Sequence, residues 1–134
     1  MNTVNNVTRD TRTNAINIDI RRFNSKEDYE VVVKSIEDNY RSKTKFSLTI
    51  ETKDLLYENI SMKYVYLFSS FMIRFKKIHF QYLEKTDIKV YDQRVFDLLY
   101  YLFLYLCSPV ATVRVIYYNS ETDDILKIKS YYVL

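Results

Sequence analysis

Hydrophobic positions along this chain switch repeatedly between two spacings. Ile16, Ile18 and Ile20 are separated by Asn17 and Asp19, and a period of two predicts a half-buried strand. From Ser25 to about Arg41 the spacing becomes three and four, placing Tyr29, Val32, Val33, Ile36 and Tyr40 on one helical face. Ser25 with Asp28 resembles a capping box, with Asp in the Glu/Gln position. Glu30/Lys34 and Glu37/Arg41 are favourably ordered i,i+4 pairs on the wet side. Phe46, Leu48 and Ile50 then return to period two, and 53–60 reads as a loop.

Ser61 is placed to cap a long helix reaching about Leu83. Its core face is expected to carry Tyr64, Leu67, Phe68, Phe71, Phe75, Ile78 and Tyr82, opposite Lys63, Ser70, Arg74, Lys77 and Gln81. Met62, Tyr66, Ile73 and Phe80 form a second stripe, free to pack on a neighbouring helix or another protein. A short strand follows at 87–91. Asp92 can cap a third helix over 93–107, with Pro109 just beyond its end. Val95, Leu98, Leu99, Leu102 and Leu106 make its expected core face, and Tyr100, Tyr101 and Leu104 fall near the opposite side with Asp97. Strands at 112–118 and 125–133, joined by the polar turn 119–123, complete a hairpin.

The expected order is β-α-β-α-β-α-β-β, an α/β fold. Strands alternating with helices of this length call for right-handed crossovers and a mostly parallel sheet, which the final hairpin makes mixed. Residues 1–14 show no periodicity and are expected to form a flexible arm. The remainder, 15–134, reads as a single α/β domain.

Composition narrows function mainly by exclusion. The chain is 48% hydrophobic and 16% aromatic, far from the profile of disorder. It contains no glycine, and phosphate-cradling loops, dinucleotide fingerprints and standard EF-hand loops all need glycine where the backbone turns sharply or approaches a ligand. A formal net charge of +3 is too small to argue for nucleic acid. Cys107 is the single cysteine, so no internal disulfide forms and a reducing compartment fits. The polar N-terminus lacks the apolar stretch of a signal peptide, so the triplets at Asn6 and Asn59 read as chance matches to the glycosylation motif. The apolar run 98–107 is about half the ~20 residues needed to span a bilayer. A soluble cytoplasmic protein is expected. Abundant Asn, Ile, Lys and Tyr suit an A/T-rich gene, as in a large DNA virus (with virion or host cytoplasm as the setting) or a low-GC microbe.

Three segments, FSLTIETKDL, ISMKYVYLFSSFMIRFKKIHFQYLEKTDIKVYD and VFDLLYYLFLYLCSPVATVRVI, run from strand through loop, long helix, short strand and apolar helix to Pro and strand. Over 46–116, roughly half the chain, this pattern resembles the fold shared by STAS (anti-sigma-factor antagonist, SpoIIAA-like) domains and CRAL-TRIO lipid-binding domains. The STAS resemblance implies a non-enzymatic protein-binding module. It also implies a phosphorylation switch, for which Ser61 is the matching position and Glu51 the acidic strand end; the glycine commonly following the switch serine is missing. The CRAL-TRIO resemblance rests on QYLEKTDIKVYD, the apolar helix and CSP, and implies a lipid ligand, without room for that family's helical N-terminal lobe.

Each candidate site has a plainer reading beside it. Ser61 reads first as an ordinary helix cap, worth ~1 kcal/mol, and only second as a phosphorylation site. His79, the single histidine, lacks companion ligands for zinc or partners for general-base work, and is expected to pack at the edge of the second helix. Arg74, Lys76, Lys77 and Lys85, interleaved with Phe75, Phe80 and Tyr82, form a basic cluster of the kind that binds single strands, or simply a solvated face. Cys107 reads as a buried, inert helix-end residue. Tyr66, Ile73, Phe80, Tyr100, Tyr101 and Leu104 are the preferred contact residues, because exposed tyrosine-rich patches mark protein interfaces. The expectation is a non-catalytic interaction or scaffold module with no cofactor or metal, binding a protein partner or itself. Nucleic acid is disfavoured, and a small lipid-binding or membrane-surface domain is the alternative.

Overall fold

Strand periodicity becomes burial in the computed structural model, which describes residues 5–134. In β2 (Ala15–Asp19) Ile16 and Ile18 are fully buried while Asn17 is exposed. In β3 (Phe46–Glu51) Phe46, Leu48 and Ile50 face the core. β4 (Leu83–Val90) buries Leu83, Thr86, Ile88 and Val90, and β5 (Thr112–Tyr118) buries Val113 and Val115. These strands lie side by side in chain order and pair in parallel. β1 (Asn6–Asp10) and β6 (Ile125–Tyr131) add an antiparallel edge at each end, making a six-stranded mixed sheet among the described residues.

Helices α1 (Lys26–Arg41), α2 (Met62–Lys76) and α3 (Gln93–Tyr101) fill the three crossovers. Because every parallel step moves the same way across the sheet, right-handed connections place all three helices on one face. The core is the layer between that face and the helices. It holds Val32, Val33 and Ile36 of α1, Val65, Phe71 and Met72 of α2, and Val95 and Phe96 of α3. The opposite sheet face carries a polar row, Thr8, Asn17, Thr49, Asp87, Arg114 and Ser130, in register across all six strands. Arg114 grips Asp87 through two hydrogen bonds of 3.1 and 3.2 Å.

Without glycine, the left-handed backbone positions fall to Asn14 (φ 54°), Lys43 (φ 55°) and Asp123 (φ 59°). Asn and Asp accept that region most readily among residues with a Cβ. Asn14 closes the β1–β2 turn and Asp123 the β5–β6 hairpin.

Several expectations need correction. The arm expected over 1–14 is, from Asn6 to Asp10, the edge strand β1; residues 1–4 lie outside the described part. β1 is anchored by Arg9, whose guanidinium donates to Asn39 Oδ1 at 2.9 Å. The buried Asn5 just ahead of it accepts from the backbone N–H groups of Arg21 and Arg22. The capping box at α1 is rearranged. Ser25 accepts from the Asp28 N–H, but the buried Asp28 carboxylate accepts from the Asn24 N–H and from Arg22 Nε. On the wet side the ion pairs are Lys26–Glu30 and Asp38–Arg41, both exposed and worth little.

α2 ends at Lys76, about two turns before the expected Leu83. Gln81 accounts for the stop: its amide donates to the carbonyls of Phe75 (2.7 Å) and Ile78 (3.0 Å), and its oxygen accepts from Tyr40 Oη at 2.6 Å. Tyr40 in turn packs against Phe46, Phe75 and Tyr82. The chain leaves this knot directly into β4, which begins at Leu83 opposite Phe46 and is longer than the expected strand. α2 is also rotated from its expected setting, with Val65, Ser69 and Met72 buried and Leu67 exposed.

Candidate protein-docking surface

α3 continues from Tyr101 into a π-helical segment, Leu102–Leu106, closed by a hydrogen bond from the Cys107 N–H to the Leu102 carbonyl. The wider turn buries Leu102 and Phe103 and leaves Leu104 and Tyr105 exposed. Tyr105 is 71% exposed, and its ring lies 6.0 Å from that of Tyr101 and 6.5 Å from that of Tyr100. α2 packs beside this segment, and its Tyr66 hydroxyl meets that of Tyr101 at 3.5 Å. The contact with Tyr66, then burial, raises the Tyr101 phenol above its ordinary pKa. Tyr66, Tyr100, Tyr101 and Tyr105 therefore form a connected tyrosine cluster on the outer side of the helix layer, with Leu104 also exposed.

Of the expected contact residues, the structure gathers Tyr66, Tyr100 and Tyr101. Ile73 is exposed farther along α2. Phe80 is 67% exposed but lies beyond the end of α2, its ring against His79, so it does not continue a helical stripe. Met62, the first member of that stripe, packs against the core instead. His79 is exposed rather than packed at a helix edge, because α2 has already ended. Tyr105 was not singled out by sequence reasoning, although it stands four residues after Tyr101, the ordinary spacing of neighbours on one helical face.

The basic cluster is divided. Arg74 sits near the Phe71 ring, and Lys76 donates to the Ser108 hydroxyl. Lys85 stands on β4 in register with Ser47 and Thr112, on the face away from the helices. Lys77, the exposed C-cap of α2, stays with Arg74 and Lys76 at the end of that helix, so Lys85 alone is separated from the other three.

Ser61 occupies the N-cap of α2, yet its side chain makes no capping hydrogen bond. Its N–H donates to the Phe23 carbonyl at 2.9 Å. Asp92, by contrast, caps α3 by accepting from the Arg94 N–H at 2.7 Å. Burial opposes ionisation of Asp92, and the hydrogen bonds from Arg94 outweigh it and hold its pKa below the usual value. Glu51 is engaged by the Lys53 N–H and by Tyr91 Oη. Burial, then Glu51, pushes the Tyr91 phenol well up. Cys107 is buried, which raises its thiol pKa despite the pull of Lys76.

An apolar cavity of about 100 Å³ opens between the helices and the C-terminal ends of the strands. Ile50, Leu55, Val65, Phe68, Ile88 and Leu102 are among its lining residues. Thr52 also borders it, its hydroxyl donating to the Lys89 carbonyl. Among the described residues, no group of three or more His, Cys, Asp or Glu can hold a metal ion, and no helix is long and apolar enough to cross a membrane. Comparison with protein-family models, curated proteins and solved structures returns no match.

Proposed function

We propose that this chain is a non-catalytic protein-binding module with a STAS-like fold, and that a partner protein docks on the tyrosine face of α2 and α3. One observation carries the reading: Tyr66, Tyr100, Tyr101 and Tyr105 stand exposed on two adjacent helical segments, linked in a chain by the Tyr66–Tyr101 hydroxyl contact and by the Tyr100 and Tyr101 rings beside Tyr105. Tyrosine offers large amphipathic contact area at low conformational-entropy cost, and such residues dominate protein interfaces. The STAS-like reading draws support from the succession of β3, α2, β4, α3, Pro109 and β5 over the resembling segment. A cytoplasmic setting agrees with the single buried thiol. Affinity capture from the source cell tests the reading. A variant carrying Tyr66→Lys, Tyr101→Lys and Leu104→Lys is expected to lose the partner, and Lys85→Glu on the opposite sheet face to keep it. Equal capture by both variants defeats the proposal. Self-association, as the simplest partner, appears as a mass above 16.3 kDa in light scattering that rises with concentration and disappears in the triple variant.

The apolar cavity favours a second reading, a small CRAL-TRIO-like lipid-binding domain. Its walls suit an acyl segment, since cavities of this kind stay dry and accept apolar ligands. Native mass spectrometry of the purified protein decides: copurified lipid favours this reading, and a bare chain removes it.

A further inference from the structure

β6 ends the sheet, with β5 on its inner side and, among the described residues, no strand on its outer side. Its seven residues are exposed over most of their length. Unpaired N–H and C=O groups along such an edge are a template for another strand. The side chains specify what kind. Ile128, half exposed, lies in register with Ile116 on the face away from the helices, and Ile125 is exposed beside Tyr118. This corner is the apolar part of an otherwise polar face. On the helix side, Lys127 rests 4.7 Å from the Phe96 ring centroid, and Lys129 lies 5.8 Å from that of Tyr131. Among the described residues neither lysine is paired with a carboxylate.

A second copy is a poor occupant. Two-fold antiparallel pairing in one continuous sheet keeps each residue on its own face. Centred on Ile128 it sets Lys127 against the copy's Lys129, and centred on either lysine it sets that lysine against itself. Each of these most-overlapping registers places like charges directly opposite, which is destabilising.

We propose that the outer edge of β6 receives an extended strand of a partner protein in which acidic residues alternate with apolar ones. The acidic positions face Lys127 and Lys129, and the apolar positions continue the patch of Ile125 and Ile128. This is strand addition, with main-chain hydrogen bonds giving affinity and alternate side chains giving specificity. It goes beyond the α2–α3 reading and uses a different surface, so either can fail alone.

The test titrates the full chain, isotope-labelled, with an acetylated peptide alternating valine and glutamate, and with its valine–lysine counterpart. Saturable binding of the glutamate peptide is expected, with amide shift changes centred on 125–131, weakening with added salt. The lysine peptide is expected to bind at least tenfold more weakly. A Lys127→Glu/Lys129→Glu variant should lose tenfold or more in affinity. Because Lys127 also packs on Phe96, Ile128→Glu serves as a second variant that leaves both lysines in place, with an expected loss of at least fivefold. Absence of saturable binding, equal binding of the two peptides, or shifts centred on β1 or the α2–α3 face overturns the proposal.

Discussion

Removing one oxygen atom should make this protein more stable. Tyr131 is 3% exposed, and its hydroxyl is buried with no hydrogen-bond partner among the described residues. Its ring does useful packing, lying 5.3 Å from Phe103 beneath the Lys129 ammonium. Tyr131→Phe keeps the ring and discards the orphan. A buried unsatisfied polar group costs about 1–3 kcal/mol. Allowing for the small gap left behind, the variant is expected to gain about 1 kcal/mol at pH 7, or about 4 °C in Tm for a chain of this length. Urea unfolding followed by circular dichroism measures it. The pH dependence supplies a second check. Burial, then the neighbouring Tyr100 and Asp97, pushes the folded-state phenol up to about 12, against about 10 in the unfolded chain. The folded state therefore holds this proton more tightly. Its contribution is complete below pH 10 and is lost as pH rises from 10 toward 12. Wild type should weaken across that window more steeply than Tyr131→Phe. A loss of 1 kcal/mol or more in the variant at pH 7, or parallel alkaline profiles, refutes the reasoning.

The two helix caps give a paired prediction. Asp92→Ala should cost about 1 kcal/mol, whereas Ser61→Ala, which removes no capping bond, should change urea stability by less than about 0.5 kcal/mol; equal costs contradict the difference in geometry. Val65 lines the apolar cavity, so Val65→Ile should add a methylene to empty space and gain up to about 0.8 kcal/mol. A loss above about 1 kcal/mol in the same unfolding assay means the space is not there to fill. Burial raises the Cys107 thiol, so its reaction with a thiol-specific disulfide reagent at pH 8 should be slow in buffer and rapid in denaturing urea, and equal rates contradict the burial.

The sequence spoke clearly wherever one period dominated a segment. β2, β3, α1 and the final hairpin follow directly from the alternation of Ile16–Ile18, the triplet Phe46–Leu48–Ile50 and the one-sided face of α1. Three features were hidden for physical reasons. β1 is an edge strand with one apolar residue, Val7, and its order comes from Arg9 and Asn5 reaching distant partners. Ile78 and Tyr82 keep helical spacing after α2, yet Gln81 and the pairing of Leu83 with Phe46 divert the chain. The π segment at the tail of α3 buries Phe103, which ordinary spacing left off the core face, whereas Tyr105 stands four residues after Tyr101 and was open to a plain helical reading. Tyr100 and Tyr101 were legible because α3 exposes the face that spacing assigns, and Tyr66 because it stays outside the core even though α2 is rotated; the basic cluster lost Lys85 to the far side of the sheet.

A photoreactive amino acid placed singly at 101 and 104, and at 17 and 85 on the open sheet face, tests the docking surface most directly. Irradiation in the source cell should join the helix positions to a common partner protein and leave the sheet positions without it. The same adduct arising from 17 and 85, with none from 101 and 104, contradicts the account.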